Sequence, residues 1–300
     1  MEGNILLIGG TGTLGRAFLN NLANNKNCEI TVLSRDEQKH HNLSPQFKNV
    51  KFIVGDIRDV DSIESVFFNK EIVIHTAAMK HINICEKYPM ESVKTNIIGS
   101  HNVAKLCVKY SVDHCIFSST DKAVDPVSVY GYSKAIAESI FLELNSKVRT
   151  NFSVYRWGNI LFSNGSFLYK FIEKIVNKEP VPITDLRMTR FFLKIEDAVN
   201  FVNFSYRDKS IFPKIIPDLR SAKIVDIAIA LGDILDTEVS FEVVGLRCNE
   251  KLHENLVSQH INNNLEYVDS NTAPRLSREE IVSLIKNEVL EYAKKLSNNW

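Results

Sequence analysis

The first half of the chain alternates short apolar runs with longer segments of helical periodicity. Six of the runs are almost continuously apolar, which is typical of strands covered on both faces of a parallel sheet. These predicted strands are NILLI (4–8), EITVL (29–33), VKFIV (50–54), EIVIH (71–75), HCIFS (114–118) and FSVYR (152–156). Predicted helices lie between them, near residues 14–24, 61–68, 91–110 and 130–145. The alternation predicts an α/β fold with a doubly wound parallel sheet.

The pattern loosens after residue 160, where prolines at 180, 182, 213 and 217 indicate turns and extended segments. Helical periodicity returns near 166–177, 195–206 and 223–235. A last helix is predicted to begin at Ser277, because Glu280 three residues later completes a capping box. We expect a first domain over residues 1–162, to which the segment at about 192–218 returns. Residues 163–191 and 219–300 would form a smaller C-terminal domain.

Composition and charge narrow the class of protein. Lys+Arg and Asp+Glu both number 36, so a net charge of +0 gives no reason to expect nucleic acid or an anionic membrane as partner. No apolar run approaches about 18 residues, and the N-terminal stretch lacks the basic start of a signal peptide. Five scattered cysteines without Cys-x-x-Cys spacing indicate free thiols, and we expect a cytoplasmic protein. The histidines lack the spacing of metal ligands, so no metal site is predicted.

The first predicted strand runs into GGTGTLG, in which Gly9, Gly12 and Gly15 have the spacing G-x-x-G-x-x-G. In a dinucleotide-binding turn, the first glycine allows the tight turn and the second lets the backbone approach a pyrophosphate. The third lets helix and strand pack closely, with the phosphates at the helix N-terminus. A structural βα turn is the alternative, but the position between a strand and a helix favours a dinucleotide in a Rossmann domain. Three further turn residues would line the same site: Thr11, Thr13 and Leu14.

The end of the second predicted strand indicates which dinucleotide is bound. NAD-binding domains usually carry an acidic residue there for the ribose 2′-hydroxyl. This chain has Ser34, Arg35 and then Lys39, and a hydroxyl with cationic groups suits a 2′-phosphate. NADP is therefore the predicted cofactor, and NAD stays open because Asp36 or Glu37 could reach a ribose. The rest of the predicted cofactor site is Asp56, which would face the adenine amino group, with Ile57, Thr76 and Ala77.

A candidate catalytic group lies in SSTDKAVDPVSVYGYSKA, residues 118–135. Tyr130 and Lys134 are four residues apart and would share one helical face. A neighbouring ammonium favours the phenolate, so we expect the pKa of Tyr130 to fall from about 10 towards neutrality. Such a tyrosine can take the proton of a substrate hydroxyl while hydride leaves the same carbon. Tyr132 would point elsewhere and take a packing role, and a surface Tyr–Lys pair is the plain alternative.

Several motifs resemble those of one known family. The segments HTAA, TNIIG, SSTDKAV, YGYSK and RWGNI match extended short-chain dehydrogenase/reductases. SRDE, AAMKH, PMESVKTN, STDKAVDP, PITDLRMTRFF, PKIIP and EKLHE resemble the inverting UDP-N-acetylglucosamine 4,6-dehydratases of bacterial pseudaminic acid and capsule pathways. The resemblance runs from about residue 4 to 257, and its most specific part is STDK followed by YxxxK.

The resemblance implies roles for the residues before Tyr130. Oxidation of the sugar at C4 makes the C5 hydrogen acidic, and loss of the C6 hydroxyl then needs a base and an acid. By the family's pattern Lys122 is the C5 base, Asp121 assists loss of water and Thr120 binds the C4 oxygen. Tyr130 and Lys134 would start the oxidation, and the NADPH formed would return hydride to C6. Retaining sugar dehydratases carry Asp-Glu where this chain has Asp121-Lys122, so the inverting branch is favoured.

The resemblance also implies a UDP-sugar substrate and a homo-oligomer. The helices near 91–110 and 130–145 form a dimer bundle in the family, so a dimer or larger assembly is expected. Arg190 would either bind the diphosphate or form a structural ion pair. The other implied substrate residues are Lys80 and Asn159 near the sugar, Thr184 near the nucleotide, Arg247 near the diphosphate and Glu250 near the uridine ribose.

Three departures from the family's pattern leave the substrate and product open. They are Phe162 and Asn164 in LFSNGS, Asn249 in RCNEKLHE, and YGYSK where YGATK is usual. A C4 epimerase shares the fold and the Tyr–Lys pair but needs no C5 base. A dehydratase that returns hydride to C4 would instead release a 5,6-alkene. A protein that only senses NADP is less favoured, because such proteins tend to lose the tyrosine or the lysine.

Overall fold

The computed structural model describes residues 1–207, 214–256, 259–261, 264–266 and 268–297. It divides into two compact units. Unit 1 comprises Met1–Trp157 and Glu196–Pro217, and unit 2 comprises Gly158–Ile195 and Asp218–Trp300.

Unit 1 is built on a seven-stranded sheet in the order β10-β6-β5-β4-β1-β2-β3. Every neighbouring pair in this sheet is parallel. Its strands are β1 (Gly3–Ile8), β2 (Cys28–Ser34), β3 (Val50–Val54), β4 (Ile72–His75), β5 (His114–Thr120), β6 (Asn151–Trp157) and β10 (Lys214–Ile215). The six strands predicted from the sequence are confirmed, with bounds that differ by two residues at most. The doubly wound α/β fold is confirmed with them.

The helices of unit 1 follow the predicted alternation but are more divided. They are α1 (Thr13–Leu22), α2 (Glu37–Leu43), α3 (Val60–Ile63), α4 (Ile82–Lys87), α5 (Pro89–Ser92), α6 (Gly99–Lys109), α7 (Val129–Asn145) and α9 (Ile195–Arg207). The single helix predicted near 91–110 is three pieces, because a π-helical segment, Val93–Ile98, separates α5 from α6. Its wider turn carries the buried Asn96, whose side chain bonds to the loop after β4.

The core of unit 1 explains why its strands are apolar along their whole length. Leu6 and Leu7 of β1 point to opposite faces of the sheet, and both are fully buried. On one face Phe141 of α7 stacks on Phe117 of β5 at 4.4 Å between ring centroids. The centroid of the Phe141 ring also lies 5.5 Å from that of the Phe152 ring in β6. Helix α7 is therefore anchored to β6 and to β5, whose carboxyl end carries three of the predicted catalytic residues.

Unit 2 holds short strands around three packed helices. Its helices are α8 (Phe167–Val176), α10 (Ile224–Leu235) and α11 (Arg278–Ser297). Its strands are β7 (Asn159–Ile160), β8 (Val181–Ile183), β9 (Thr189–Leu193), β11 (Ser221–Lys223), β12 (Phe241–Val243), β13 (Gln259–Ile261) and β14 (Asn264–Glu266). The capping box before α11 is confirmed: Ser277 N donates to Glu280 Oε2 at 2.7 Å, and Glu280 N donates to Ser277 Oγ at 3.2 Å. Within the described ranges, no helix has the length and apolar character needed to cross a bilayer.

A buried ion pair joins α7 to β6 in unit 1. Arg156 Nη2 lies 2.6 Å from Glu138 Oε2, and Arg156 Nε donates to Glu138 Oε1 at 2.9 Å. Their side chains are only 5% and 3% exposed. Ser119 of β5 also donates to Glu138 Oε1, at 2.5 Å. The carboxylate thus links two strands and a helix beneath the predicted catalytic residues.

We predict that Glu138→Gln lowers the free energy of unfolding by roughly 3 kcal/mol or more, because it leaves the Arg156 guanidinium buried without a counter-charge. Chemical denaturation measures the change. Glu143→Gln on the same helix is the matched control, since Glu143 is exposed and pairs only with the exposed Lys147. Equal effects of the two substitutions would show that the buried pair does not stabilise the unit.

Candidate active site

The glycine-rich turn between β1 and α1 has two glycines that the protein's own packing requires. Gly9 has φ +79°, and an added Cβ would lie 2.7 Å from Ala77 N. A Cβ on Gly15 would lie 2.2 Å from the carbonyl oxygen of Gly9. A side chain at Gly9 would collide with the loop after β4, and one at Gly15 would keep α1 from packing against the turn.

Gly12 is different and points to a ligand. Its φ of −78° suits any residue, and among described atoms an added Cβ would approach only Gly9 O, at 3.2 Å. A glycine here is explained by a group that approaches the turn from outside, as a pyrophosphate does. Helix α1 begins at Thr13 without a side-chain cap, so the N–H groups of its first turn suit phosphate oxygens. The residues present therefore fit a dinucleotide.

The loops after β4 and β2 border this turn. Thr76 Oγ1 donates to Ile8 O at 2.9 Å, and this bond holds the start of the β4 loop against the end of β1. Thr11 Oγ1 donates to Ser34 Oγ at 3.0 Å, joining the glycine turn to the end of β2. Thus Gly9, Thr11, Ser34, Thr76 and Ala77, all predicted from the sequence, are brought together.

The acidic residues of the predicted cofactor site already have cationic partners. Asp36 caps α2 by accepting from Lys39 N at 3.0 Å, and its other oxygen lies 3.0 Å from Lys39 Nζ. Asp56 accepts from Arg58 Nε and Nη2 at 2.8 and 2.6 Å, and Arg35 Nη1 lies 3.8 Å from it. Ile57 is buried, with its carbonyl accepting from Asn102 at 2.9 Å. The side chain of Arg35 remains 52% exposed, which leaves it able to meet a ligand phosphate.

The carboxyl end of β5 carries three of the predicted catalytic side chains in consecutive positions. Asp121 is fully buried and accepts from Thr120 Oγ1 at 3.0 Å. Lys122 Nζ donates to the same oxygen of Asp121 at 2.9 Å. Thr120 Oγ1 also accepts from Lys122 N at 3.3 Å, which caps the short 3-10 turn Asp121–Ala123. An amine, a carboxylate and a hydroxyl are thus held in one turn.

The expected lowering of the Tyr130 pKa is wrong for this structure. Burial raises the pKa of Tyr130 to about 12, and the charge of Lys122 and a hydrogen bond with Thr120 only partly oppose this. The cation that acts on the phenol is therefore Lys122 of the β5 turn, whereas the sequence spacing indicated Lys134. Removal of water outweighs the attraction of one ammonium, so Tyr130 is a neutral phenol at pH 7.

Lys134 is buried, which its spacing from Tyr130 in the sequence did not indicate. Its Nζ donates to Ser118 O at 2.6 Å and lies 3.9 Å from the centroid of the Phe117 ring. Burial lowers the pKa of Lys134 to about 7, although the charge of Glu138 opposes the shift. The adjacent His75 is also fully buried, and burial together with the Lys134 charge lowers the pKa of His75 to about 3.

Gly131 and Asn96, for which the sequence predicted no role, position the candidate catalytic side chains. A Cβ on Gly131 would lie 2.4 Å from Lys122 O, so only glycine lets α7 approach the β5 turn this closely. Asn96 accepts from Met79 N and donates to Met79 O, both at 2.8 Å, and donates to Ser133 Oγ at 2.9 Å. It ties the loop before Lys80 to α7. Both residues lie in motifs of the sequence analysis, Asn96 in TNIIG and Gly131 in YGYSK. The sequence alone did not indicate their packing role.

Lys80 is exposed at the end of that loop, and withdrawal of water by the surrounding protein lowers its pKa. The other predicted substrate residues belong to unit 2. Arg190 is buried, donates to the carbonyls of Lys251 and Leu252 at 2.8 and 3.1 Å, and lies 3.8 Å from Glu254. These contacts favour the structural alternative for Arg190.

The remaining substrate candidates in unit 2 are more open. Asn159 and Thr184 are half-buried, and Arg247 is exposed. Glu250 N donates to Arg247 O at 3.1 Å, so the two residues share one turn. Glu250 Oε2 is buried and has no hydrogen-bond partner among the described residues, which suits a ligand hydroxyl.

One departure from the family's pattern lies at a position with a left-handed backbone. Phe162 adopts φ 51°, a conformation that favours glycine. Its carbonyl accepts from Tyr169 OH at 2.8 Å, and the two rings meet edge to face with centroids 5.8 Å apart. These contacts hold Phe162 in an unfavourable conformation. In the part of the chain described, no three His, Cys, Asp or Glu side chains cluster as a metal site would require.

Comparison with known proteins identifies the relatives of this chain. A family described as polysaccharide biosynthesis protein matches residues 5–274. The UDP-N-acetylglucosamine 4,6-dehydratase (inverting) of Campylobacter jejuni serotype O:2 is 39% identical over 263 residues, covering 85% of this chain and 77% of the relative. The UDP-glucose 4-epimerase of Rickettsia canadensis is 35% identical over 270 residues, covering 86% of this chain and 78% of the relative.

Solved structures agree on the fold. Pen from Bacillus thuringiensis superposes with a TM-score of 0.85 at 28% identity, covering 96% of this chain and 98% of that one. The dTDP-glucose 4,6-dehydratase DesIV of Streptomyces venezuelae, solved with NAD and TYD bound, has a TM-score of 0.78 at 17% identity, covering 99% and 98%. The latter likeness concerns the fold alone.

We predict a pH-dependent stability that Lys134 causes. In the unfolded chain a lysine keeps its proton up to its ordinary pKa of 10.5, whereas folded Lys134 releases it near pH 7. Between these values the unfolded state binds more protons, so stability rises with pH, and below pH 7 the unfavourable contribution is complete. The free energy of unfolding of the wild type relative to Lys134→Met should therefore rise between about pH 7 and 10.5. Denaturant titration across this range measures it, with the exposed Lys94→Met as control; a difference that is independent of pH would contradict the burial of a neutral amine.

Proposed function

The chain belongs to the polysaccharide biosynthesis protein family, and on that premise we propose that it is a C5-inverting UDP-N-acetylglucosamine 4,6-dehydratase. The observation that carries the proposal is the buried contact of 2.9 Å between Lys122 Nζ and Asp121 Oδ1, beside Tyr130. A dehydratase needs a base for the C5 proton and an acid for the C6 hydroxyl. An epimerase at C4 needs neither, so this pair favours dehydration.

The Asp121–Lys122 contact can supply both groups through a single proton shift. As an ion pair it holds an ammonium and a carboxylate. Transfer of one proton along the contact gives a neutral amine and a neutral carboxylic acid, which are the base and the acid that the elimination requires. Lys122 then takes the C5 proton, Asp121 gives its proton to the departing C6 hydroxyl, and water leaves.

Tyr130 and Thr120 would act at C4. Thr120 can hold the C4 oxygen, and Tyr130 would accept the C4 hydroxyl proton as the ketone forms. When bound, NADP would accept hydride from C4 and return it to C6, and the positive charge of its oxidised ring would favour the Tyr130 phenolate. Lys122 helps in the same direction, because its charge already opposes the rise in the Tyr130 pKa. The substrate loses water only, so no external oxidant is consumed.

We infer that NADP is preferred over NAD because Asp36 is occupied and cationic groups lie beside it. Asp36 caps α2 and pairs with Lys39, whereas Arg35 is exposed and Ser34 offers a hydroxyl. A 2′-phosphate would meet cations here, and Asp36 would be less available to a ribose hydroxyl. The five free cysteines are compatible with a cytoplasmic enzyme, which we also propose.

For the UDP-sugar, we propose that unit 2 supplies Thr184, Arg247 and Glu250 to the nucleotide. Glu250 Oε2 would accept from a ribose hydroxyl, and the exposed Arg247 would meet the diphosphate. Asn159 and Lys80 are proposed to contact the sugar. Arg190 is assigned to the structure of unit 2.

The product is tested by running the reaction in deuterated water with UDP-N-acetylglucosamine and following it by NMR. The unmodified enzyme should place one solvent deuteron at C5 and the original C4 hydrogen at C6. Lys122→Met should lose turnover by roughly 10²–10⁴, because the general base is removed. It should still bind cofactor, and the exposed Lys94→Met serves as control.

Other outcomes of the same experiment separate the alternatives. Accumulation of a C4-inverted sugar without deuterium at C5 would make the protein an epimerase, the activity named for the Rickettsia relative. A 5,6-alkene with hydrogen returned to C4 would keep Lys122 as the base and remove the final hydride step. The left-handed backbone at Phe162, where the chain departs from the family's pattern, makes this second alternative worth the test.

We further propose a homo-oligomer, a dimer or larger, formed through α7. Tyr132 and Ile136 lie one turn apart on this helix and are 54% and 48% exposed. The segments that pack on α7 also expose apolar side chains, Ile84 in α4 and Met90 in α5 among them. Exposed apolar surface of this extent is typical of an interface.

Ile136→Lys should therefore convert the assembly to monomers, because the interface would bury an unpaired ammonium. Sedimentation velocity measures the mass. Phe204→Lys is the matched control, since Phe204 is 73% exposed on α9, outside this surface. A monomeric wild type would contradict the proposal.

A further inference from the structure

His40 is a buried histidine that the catalytic and cofactor motifs do not include. It lies in the second turn of α2, is 6% exposed and packs the edge of its ring on Phe52, with centroids 5.5 Å apart. Its Nε2 contacts Ser34 Oγ, and its Nδ1 is buried without a hydrogen-bond partner among the described residues. Burial lowers the pKa of His40, so the ring is neutral at pH 7.

The tautomer of this ring follows from the unpartnered nitrogen. A neutral imidazole carries one N–H and one bare nitrogen. A buried N–H without an acceptor is rarer and costlier than an unmatched acceptor. The proton therefore belongs on Nε2, where it is donated to Ser34 Oγ.

The Ser34 hydroxyl then has only one role left. Its oxygen has two lone pairs and one proton. Thr11 Oγ1 donates to it at 3.0 Å, and His40 Nε2 donates to it from the other side. Both lone pairs are used, so the Ser34 proton is free to be donated outward, next to Arg35.

We propose that His40 determines cofactor specificity by making the Ser34 hydroxyl a dedicated hydrogen-bond donor for the 2′-phosphate of NADP. A phosphate oxygen only accepts hydrogen bonds and is charged, so it gains fully from such a donor. A ribose 2′-hydroxyl must also donate, and neither Ser34 nor the occupied Asp36 offers it a free acceptor. The inference rests on the proposed use of NADP and adds a residue that does not touch the cofactor itself.

The test measures dissociation constants of NADP⁺ and NAD⁺ by calorimetry, with the full chain and no sugar present. His40→Phe keeps a ring against Phe52 and removes the donor. It should lower the ratio of NADP⁺ affinity to NAD⁺ affinity by about tenfold, because the Ser34 hydroxyl regains a lone pair that can accept from the ribose 2′-hydroxyl of NAD⁺. Ser34→Ala should do the same. The double variant should lose little more than either single variant, because the two residues act through one bond. His41→Phe, an exposed histidine on the same helix, should have no effect.

A second measurement keeps the inference testable if the variants fold poorly. Nitrogen-15 NMR of the histidine rings in the wild type should place the His40 proton on Nε2. A proton on Nδ1, or an unchanged ratio of the two cofactor affinities in His40→Phe, would overturn the inference. Equal affinity of the wild type for NADP⁺ and NAD⁺ would overturn the cofactor choice along with it. The deuterium experiment tests the dehydratase reaction independently of these cofactor measurements.

Discussion

The close approach of α7 to the turn after β5 is the constraint on which the candidate site depends. It exists because Gly131 has no side chain at a point where a Cβ would lie 2.4 Å from Lys122 O. This contact brings Tyr130 close to Lys122. Further along the same helix, the buried Glu138 is paired with Arg156 and accepts from Ser119. The packing of α7 therefore positions both the candidate catalytic turn and the buried ion pair.

Burial, more than the nearest charge, determines the pKa values of Tyr130, Lys134 and His75. Tyr130 keeps its proton although Lys122 is close, and Lys134 has a lowered pKa although Glu138 is one turn away. His75 is forced to be neutral beside them. A site with few net charges suits proton transfers between neutral groups, which the Asp121–Lys122 contact can provide. The end of β2 contrasts with this, because the side chains of Arg35 and Lys39 are 52% and 53% exposed and can meet a ligand.

The sequence allowed the parallel sheet, the glycine turn and the capping box of α11 to be predicted, because each depends on a local pattern of residue types. The turn of Thr120, Asp121 and Lys122 was also foreseen, since these residues are consecutive. What escaped prediction depends on three-dimensional packing. The pKa of Tyr130 was assigned from its spacing to Lys134, whereas burial and Lys122 determine it. The contacts of Arg190 with the carbonyls of residues 251 and 252, and those of His40 with Ser34, likewise join positions that no local pattern connects to a role.

Relatives named as a dehydratase and as a C4 epimerase resemble this chain to a similar extent, at 39% and 35% identity. Overall similarity therefore cannot separate the two reactions, and the difference must lie in chemistry that only one of them needs. Both begin with oxidation at C4, for which we propose the glycine turn, Tyr130 and Thr120. Only dehydration continues to C5 and C6, where a proton must be taken and another delivered. A fully buried carboxylate in contact with an amine is costly to maintain unless it is used or stabilises the fold. The Glu138–Arg156 pair is likewise buried, and we assign it to the stability of the fold. Asp121 and Lys122 differ from that pair because they lie beside the Tyr130 phenol, and this placement favours elimination as the reaction that the fold serves.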